Sequence, residues 1–411
     1  MNRKLKSAEM GIGMKYDFDV EIDRRGRNCL KYDFAAERGK PEGLLPLWVA
    51  DMDLPAAEEI KQALHRAVEH GIYGYSEVKE SYFNAVHDWM WNCHDWEVKK
   101  EWMVKTPGIV YAIAAAVRAF TKEGDGVMIQ NPGYYPFGQV VRDNGRVLAD
   151  NTLHEENGRY TMDYEDMERQ ITTSNVKLFL LCSPHNPVGR VWTEDELRRL
   201  GEICLKHGVL IVSDEIHHDF VFPGHRHYVL AGLDERFQEI TITCTAPSKT
   251  FNIAGLQVSN IFIPNEGLRK AFVKEIDKTG YSQLNQMGLV ACEAAYRYGR
   301  DWLDQLLVYL KGNLDFARDY INREIPGVKL VEPEGTFLLW LDCRDLHISD
   351  DELDRLVIER AKLWLDGGRM FGPCGSGYQR INMACPRATL EKALRQFAEA
   401  VKSISNERED M

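Results

Sequence analysis

Two charged residues follow apolar runs of strand length, and both have side chains that could do chemistry. Lys249, in A-P-S-K-T-F-N, comes after the run Ile240–Thr245, with Phe251 beside it. Partial desolvation there would lower the pKa of the lysine and make its amine a nucleophile toward an aldehyde. Asp214 follows the run Val209–Ser213. A carboxylate buried at that point needs a partner, and a protonated pyridine nitrogen would be a suitable one.

Three further positions could complete a site for a small charged ligand. Asn186, in S-P-H-N-P-V-G-R, could donate to a phenolate oxygen and to a carboxylate. The segment Gly108–Val110 would offer free backbone N–H groups to a phosphate at a helix start, helped by the hydroxyl of Ser248. Arg380, in Q-R-I-N, could hold a carboxylate through two parallel hydrogen bonds.

Each of these residues, taken alone, also has a plainer role. A lone lysine in a loop is usually a surface residue, and an aspartate after a strand often caps the next helix. Asparagines beside prolines mostly serve turns, and most arginines form surface salt bridges. The case for a site therefore depends on the combination of these residues and on the elements that bring them together.

Those elements follow an α/β pattern. Ala56–Gly71 and Ile109–Lys122 have helical patterns, and Thr193 and Glu196 are spaced as a capping box. Alternating helices and strands predict a mostly parallel sheet with helices on its faces, and such sheets bind ligands at the carboxyl ends of their strands. The predicted strands are Val127–Gln130, Leu178–Cys182, Val209–Ser213, Ile240–Thr245 and Val258–Ile263.

The length of 411 residues suits two domains rather than one ordinary core. Long helical patterns after Leu284 and a strand-like segment at Phe337–Leu341 indicate a separate smaller domain. We expect an N-terminal arm that forms part of this small domain at 1–55, a large domain at 56–290 and a small α+β domain at 291–411.

Composition bears on partners and compartment. A net charge of −12 argues against nucleic acid as a partner. Nine cysteines without a C-x-x-C pair indicate reduced thiols. The start, M-N-R-K-L-K-S-A-E-M, lacks the apolar core of a signal peptide, and no run approaches the ~18 apolar residues that span a membrane. These features predict a cytoplasmic protein without a membrane partner.

The string His217, His218, Asp219 is rich in potential metal ligands. Adjacent side chains at the end of a strand are expected to point in different directions. The sequence also lacks an H-E-x-x-H motif and paired cysteines. We therefore expect no metal site.

Six motifs in this order resemble fold-type-I pyridoxal-phosphate enzymes, the class I/II aminotransferase superfamily. They are P-G-I-V (107–110), N-P-G-Y-Y-P-F (131–137), S-P-H-N-P-V-G (183–189), S-D-E-I-H (213–217), S-K-T-F-N-I-A-G (248–255) and R-I-N-M-A-C-P-R (380–387). Within that superfamily the chain is most similar to the MalY/PatB-type cysteine-S-conjugate β-lyases, which include cystathionine β-lyases. The marks of this subgroup are P-L-W-V-A-D-M-D-L (46–54), Y-G-Y-S (73–76), the D-E-I-H form and the last motif.

The resemblance implies a mostly parallel seven-stranded sheet flanked by helices, and pyridoxal 5′-phosphate as cofactor. Lys249 would hold the cofactor as a Schiff base and shuttle the Cα proton of the substrate. Asp214 would pair with the pyridine nitrogen, Asn186 would reach the phenolic oxygen, and Tyr134 would stack on the ring. The residues implied for the phosphate are Gly108, Ile109 and Ser248.

The remaining implied roles concern the substrate and a second subunit. Arg380 would bind the substrate carboxylate together with Asn186, and Tyr135 is a candidate for protonating the leaving sulfur. Tyr75 would reach the phosphate in the neighbouring subunit's site, which makes a homodimer with shared sites the minimal active unit. His217, counted among the cofactor-binding residues, stands where aminotransferases commonly have tyrosine, and Gln257 stands where many have arginine.

The implied activity is β-elimination from L-cystathionine or another cysteine S-conjugate, giving pyruvate, ammonia and a thiol. The departures at His217 and Gln257 favour this branch. An aminotransferase acting on an L-amino acid and a 2-oxo acid is the alternative on the same scaffold. A non-catalytic regulator is a third possibility, against which the intact lysine, aspartate and asparagine argue.

Overall fold

The computed structural model describes residues 15–409, with side chains described as far as residue 404. The residues that bear on a signal peptide lie outside this range. The helices are α1 (Glu58–His70), α2 (Glu80–His94), α3 (Ile109–Phe120), α4 (Tyr135–Asp143), α5 (Tyr164–Thr173), α6 (Glu194–His207), α7 (Leu230–Leu233), α8 (Glu235–Gln238), α9 (Pro247–Thr250), α10 (Glu266–Asp277), α11 (Gln286–Tyr298), α12 (Arg300–Glu324), α13 (Asp350–Arg355) and α14 (Arg387–Glu409).

The strands form one large sheet, one smaller sheet and two short pairs. They are β1 (Leu45–Pro46), β2 (Met103–Thr106), β3 (Gly126–Ile129), β4 (Val147–Asp150), β5 (His154–Glu156), β6 (Arg159–Thr161), β7 (Val176–Cys182), β8 (Leu210–Asp214), β9 (Thr241–Thr245), β10 (Ser259–Phe262), β11 (Lys329–Val331), β12 (Leu338–Asp342), β13 (Leu363–Trp364), β14 (Asp366–Gly367) and β15 (Tyr378–Asn382).

The large sheet has seven strands in the order β2-β10-β9-β8-β7-β3-β4. Only β10 runs antiparallel to its neighbours, so the predicted mostly parallel sheet is confirmed. All five strands predicted from apolar runs belong to it. The order also contains a switch point, because β4 lies on one side of β3 and β7 on the other. Ligands of open α/β sheets bind in the crevice that forms at such a point.

Burial on both faces explains why these strands are apolar runs. Along β7, Leu178 and Leu180 pack in the cluster that contains α3, whereas Phe179 and Leu181 face the cluster that contains α6. The helices end and begin as their sequences indicate. Thr193 and Glu196 form the predicted capping box at α6, and Gly71 ends α1 in the left-handed conformation.

The second sheet is antiparallel, in the order β11-β12-β15-β14, and β15 carries Arg380. Strand β1 of the N-terminal segment pairs with β13, so this segment joins the C-terminal part of the chain. All nine cysteines fall within the described residues, and none of them forms a disulfide bond there. Between residues 15 and 409, none of the helices has both the length and the apolar character needed to cross a membrane.

Candidate active site

Lys249 lies in α9, immediately beyond the carboxyl end of β9. Its Nζ donates a hydrogen bond of 2.6 Å to the carbonyl oxygen of Ala50. Burial lowers the pKa of Lys249 to about 8; nearby Asp51 and Asp214 oppose this effect, and Arg380 reinforces it. The amine is therefore partly unprotonated near neutral pH, as a nucleophile or a base must be.

Asp214 is the last residue of β8 and only 4% exposed. Its Oδ1 accepts one backbone hydrogen bond, from the N–H of Ile216 at 3.2 Å. Burial raises the pKa of this carboxyl to about 7, against the opposing effects of that N–H and of Lys249. A buried carboxylate with a single backbone donor is incompletely solvated, so a cationic group of a ligand would complete its surroundings.

Arg380, on β15, is 3% exposed and already holds three groups of the protein. Its Nη1 donates to Asn186 Oδ1 at 3.0 Å, and its Nη2 donates to the Trp48 carbonyl at 2.7 Å and to Asp366. The ring of Phe371 lies 4.8 Å from the guanidinium carbon. Within the described residues, the buried Nε has no hydrogen-bond partner. That N–H is available to an anion, since an unsatisfied buried donor is costly.

His217 lies close enough to Lys249 and Arg380 for both charges to act on its imidazole. It is buried, and burial holds its pKa well below the ordinary value, with the two cations adding to the effect. The imidazole is therefore neutral, and its Nδ1 has no hydrogen-bond partner in the described part of the chain. A neutral ring with a free nitrogen can exchange a hydrogen bond with a bound ligand.

Tyr134 and Tyr135 follow β3 and stand beside each other at the crevice, with ring centroids 5.6 Å apart. Burial raises the pKa of Tyr134, and Asp214 is among the groups that add to the rise. Tyr135 is 37% exposed. Burial raises the pKa of Tyr135 too, with Asp366 adding to the rise and Arg380 opposing it. The two rings thus line the side of the crevice between Asp214 and Arg380.

Gly108 and Ser248 lie at the same edge of the sheet. Strands β2 and β9, which end at Thr106 and Thr245, flank β10, so their axes lie about 10 Å apart. Gly108 caps α3 without a side-chain hydrogen bond, and a Cβ added there would meet no atom within 4 Å. The space beside Gly108 at the start of α3 is therefore open, as anion binding at a helix start requires.

Tyr75 lies in the segment between α1 and α2. Its side chain is 99% exposed, and Ile72 and Tyr73 of the same segment are also exposed. Tyr75 therefore does not line a site within its own chain, unlike the residues described above.

Two asparagines that we did not predict hold the segment 46–54 against the site. Asn252 Nδ2 donates to the carbonyls of Met52 (2.9 Å) and Leu54 (2.8 Å). Asn382 Nδ2 donates to two other carbonyls of the same segment, at 2.7 and 2.6 Å. Both lie inside motifs noted in the sequence, S-K-T-F-N and R-I-N, and that position was the available signal.

The residues present fit pyridoxal phosphate. Asp214 is a buried carboxylate with a single backbone donor, which the N–H of a protonated pyridine would complete, and the start of α3, which has no side-chain cap, suits a phosphate. Lys249 offers a partly unprotonated amine to the aldehyde. Arg380 keeps one N–H for the carboxylate of an amino acid.

Comparison with known proteins identifies the family and the fold of the chain. A family model described as aminotransferase class I and II matches residues 44–397. Cystathionine beta-lyase PatB of Bacillus subtilis (strain 168) is 43% identical over 385 residues, covering 94% of this chain and 100% of that protein. Cystalysin from Treponema denticola, whose crystal structure contains pyridoxal 5′-phosphate, has a TM-score of 0.92 at 37% identity, covering 95% of this chain and 100% of that one.

A third relative, from Clostridium difficile 630, has a PLP-bound crystal structure and a provisional aminotransferase name. Its TM-score is 0.92 at 45% identity, covering 94% of this chain and 100% of that one. The family model and the full-length relatives agree on the family and the fold. The chain belongs to the aminotransferase class I and II family.

Proposed function

We propose that this protein is a pyridoxal-phosphate-dependent C–S β-lyase that cleaves L-cystathionine or another L-cysteine S-conjugate to pyruvate, ammonia and a thiol. The observation that carries the proposal is the meeting, in one crevice, of the Lys249 amine, the Asp214 carboxylate and the free Nε–H of Arg380. The full-length similarity to a cystathionine β-lyase supports the choice of reaction.

Lys249 is the base of the reaction. When bound, pyridoxal phosphate supplies an electron sink for the electron pair that remains after the Cα proton of an amino acid has left. With its pKa lowered to about 8, the Lys249 amine accepts that proton near neutral pH. Asp214, as a carboxylate, would hold a proton on the pyridine nitrogen by its negative charge.

The other side chains orient cofactor and substrate. Because Asn186 Oδ1 is occupied by Arg380, the amide N–H groups of Asn186 are left to donate to the ring oxygen. His217, as a neutral imidazole, would lie beside the ring of the cofactor without adding charge, and Tyr134 would cover one face of that ring. Arg380 binds the substrate carboxylate. The backbone N–H groups at Gly108 and Ile109, with the Ser248 hydroxyl, bind the phosphate.

The leaving group departs on the solvent side of the crevice. The Cβ–S bond breaks, the sulfur keeps the electron pair and takes a proton, and Tyr135 is our candidate for the donor. Its partial exposure beside Arg380 supports this role. Water then converts the remaining three-carbon fragment into pyruvate and ammonia.

The proposal includes a cytoplasmic homodimer with shared sites. The exposed tyrosines Tyr73 and Tyr75 and the exposed Ile72 support a second subunit at this segment, where Tyr75 would reach its phosphate. Nine cysteines without a disulfide bond among the described residues support a reducing compartment. The proposed division into an arm at 1–55, a large domain at 56–290 and a small domain at 291–411 is consistent with the pairing of β1 with β13.

The second candidate, an aminotransferase, is favoured by the provisional name of the Clostridium difficile relative. Pyruvate release from L-cystathionine by the cofactor-loaded protein, without a keto acid, separates the two. We expect pyruvate and homocysteine in equal amounts. No pyruvate, with amino transfer after a keto acid is added, would contradict the lyase and support the aminotransferase.

A further inference from the structure

A buried group of side chains, some of them next in the chain to residues of the crevice, has no part in the roles above. We call it the cluster around Asp219; its members come from α2, from the turn after β8 and from α9. All of these side chains are buried. Its members are Trp89, His94, His218, Asp219 and Thr250.

Asp219 is the centre of this cluster, and its two oxygens accept hydrogen bonds from two helices. Oδ1 accepts from Trp89 Nε1 (3.1 Å) and from His94 Nε2 (2.9 Å), both in α2. Oδ2 accepts from Thr250 Oγ1, in α9, at 2.6 Å. His218 Nε2, from the turn itself, lies 3.1 Å from the same Oδ2. One carboxylate therefore joins α2, α9 and the turn after β8.

Two stacked imidazoles keep Asp219 ionised; the rings of His94 and His218 have centroids 4.1 Å apart. Burial lowers the pKa of His94 to about 3, so this ring is neutral and donates through Nε2–H. Burial would also lower the pKa of His218, but Asp219 and other nearby carboxylates outweigh it and raise that pKa. Burial opposes ionisation of Asp219 as well, yet His218 and His94 hold its pKa well below the ordinary value. Thr250 therefore donates to a carboxylate.

Thr250 connects this cluster with Lys249. Both lie in α9, which has only four residues and is too short to be stable on its own. Successive side chains on a helix point roughly 100° apart, so Lys249 can face the crevice while Thr250 faces the cluster. Thr250 is fully buried, and its bond to a carboxylate is charge-assisted and stronger than a bond between neutral groups. The position of α9 therefore depends on such side-chain bonds.

The turn that carries Asp219 begins at Asp214, the last residue of β8. Backbone hydrogen bonds of 3.0 and 2.9 Å close this turn, donated by the N–H groups of His218 and Phe220 to carbonyls of the same turn. The turn is therefore a defined piece of structure between the two aspartates. The hydrogen bond from Thr250 ties α9 to it.

A second set of bonds ties α9 and the residues after it to the segment 46–54. Asn252 donates to the carbonyls of Met52 and Leu54, and Lys249 Nζ donates to the carbonyl of Ala50. The bond from Nζ is lost when the amine reacts. The backbone around Lys249 is then held by the side chains on either side of the turn, and the Thr250 bond is the one nearest to it in the chain.

We propose that Thr250 is a positioning residue for proton transfer: its hydrogen bond to Asp219 holds Lys249 where the amine can take the Cα proton of the substrate. The inference rests on the proposed role of Lys249 as the base. A covalent bond to the cofactor fixes its own geometry, whereas proton transfer needs the freed amine within hydrogen-bond reach of Cα. Loss of the Thr250 hydroxyl should therefore slow proton transfer without preventing attachment of the cofactor.

The experiment follows, by NMR in deuterated water, the exchange of the Cα proton of L-alanine with cofactor-loaded protein. The Cα–H bond breaks, the proton passes to the Lys249 amine and on to the solvent, and a deuteron returns to Cα. Alanine gains one deuterium and is otherwise unchanged. Because alanine has no leaving group on Cβ, this step is the same for a lyase and for an aminotransferase.

Thr250→Val has nearly the same shape as the wild type but lacks the hydroxyl. We expect it to lower the maximal exchange rate about tenfold, to leave the KM for L-alanine within about twofold and to keep a full borohydride-stable label on Lys249. Thr250→Ser, which keeps the hydroxyl, should exchange within about threefold of the wild type. Thr250→Ala, which also lacks it, repeats the test if Thr250→Val does not fold. Wild-type exchange without the hydroxyl, or an equal loss in Thr250→Ser, would overturn the proposal.

Two control variants separate positioning from general destabilisation. Thr243→Val, in the strand that precedes α9, removes an equally buried hydroxyl that has no hydrogen-bond partner in the described residues. Thr193→Ala removes the N-cap of α6 and should lower the melting temperature. Both should exchange L-alanine at the wild-type rate. A loss in Thr193→Ala as large as in Thr250→Val would mean that destabilisation alone explains the effect, and would overturn the proposal.

Hydrogen exchange of the backbone amides in the cofactor-free protein gives a readout that does not depend on turnover. In Thr250→Val, the amides of residues 247–253 should exchange about threefold faster or more, and those of β8 and β9 should not change. Unchanged exchange at 247–253 would mean that the hydroxyl does not hold α9, and would overturn the proposal.

The design also separates this inference from the proposed function. If the wild type exchanges L-alanine but releases no pyruvate from L-cystathionine, the lyase is wrong, and the Thr250 variants still decide the inference. If the wild type does not exchange L-alanine at all, Lys249 is not the base, and both proposals fail.

Discussion

The crevice around Asp214 and the cluster around Asp219 contain two buried aspartates five residues apart, with opposite chemistry. Asp214 has one backbone donor, and burial raises its pKa to about 7. Burial would raise the pKa of Asp219 too, but His218 and His94 hold it well below the ordinary value. A buried carboxylate whose hydrogen bonds all come from the protein, such as Asp219, stabilises the fold, and we call it an anchor of the fold. A buried carboxylate with too few donors, such as Asp214, is a group whose hydrogen bonding a ligand would complete.

Two buried arginines, Arg190 and Arg380, differ in the same way in how many of their N–H donors the protein itself uses. Arg190 donates through Nε to Glu334, through Nη1 to the carbonyl of Tyr160 and through Nη2 to both oxygens of Glu196. Arg380 is equally buried but keeps an Nε–H without a partner in the described residues. Arg190 therefore belongs to the fold, and Arg380 has a donor left for a substrate.

The largest effect is expected at Lys249, which links the two regions. Replacing it with alanine removes the base, so pyruvate release should fall on the order of 10³-fold or more. Lys206→Ala, at an exposed lysine paired with Glu168, serves as the matched control and should keep its activity. Full activity in Lys249→Ala would exclude the proposed role.

Asp214→Asn tests the crevice side of the comparison. The amide has nearly the same shape but cannot hold a proton on the pyridine nitrogen, so kcat should fall on the order of 100-fold. The fold should survive, because the lost carboxylate had only one backbone donor. Steady-state kinetics and thermal unfolding measure the two effects. A variant that loses its fold together with its activity would mean that Asp214 is an anchor after all.

The pH dependence of the free energy of unfolding tests whether Asp214 is incompletely stabilised as a carboxylate. A carboxyl whose folded-state pKa is raised binds its proton more tightly in the folded than in the unfolded state. In the cofactor-free protein, Asp214 should therefore not lower the free energy of unfolding below about pH 4. Between pH 4 and pH 7 it should lower that free energy increasingly, by up to on the order of 4 kcal/mol. Urea unfolding of wild type and Asp214→Asn across this range measures the cost; a constant difference would contradict it.

Asp219→Asn tests the buried cluster around Asp219, the second of the two regions compared. It leaves the His218 cation buried without its carboxylate, so we expect a loss of about 3 kcal/mol in the free energy of unfolding. The matched comparison is Asp214→Asn in the same urea titration without cofactor at pH 8. If the two variants have the same free energy of unfolding, the distinction between Asp219 as a stabilising residue and Asp214 as a partner of a ligand is wrong.

Tyr75→Ala should have the smallest effect and lies outside both regions. The side chain is exposed in its own chain, so thermal unfolding of the cofactor-free protein should not change. If it reaches the phosphate of a second subunit, the Kd for pyridoxal phosphate should rise about tenfold. An unchanged Kd would remove Tyr75 from the site.

The sequence predicted best those elements whose residue pattern follows directly from burial, namely the strands of the large sheet. The five predicted strands belong to the sheet because strands covered on both faces must be apolar runs. Two strands of the large sheet escaped prediction: β2, which includes Lys105, and β4, which includes exposed Val147, are both short and partly exposed. The residues proposed for the site at the carboxyl edge were predicted because recognisable motifs carry them.

What the sequence could not predict depends on contacts distant in the chain. Asp366, which pairs with Arg380, lies in an L-D-G-G stretch that has no feature beyond a turn. We expected His217, His218 and Asp219 to point in different directions. His217 does face the crevice, but His218 and Asp219 are in contact, and His94 joins them from 125 residues away.

The most direct test of the account identifies the lysine that holds the cofactor. Cofactor-loaded protein is treated with borohydride, digested and analysed by peptide mass spectrometry. We expect the phosphopyridoxyl group on Lys249, within the peptide that contains S-K-T-F-N, and its loss from this position in Lys249→Ala. A label on another lysine, or no stoichiometric label, would contradict the site described here.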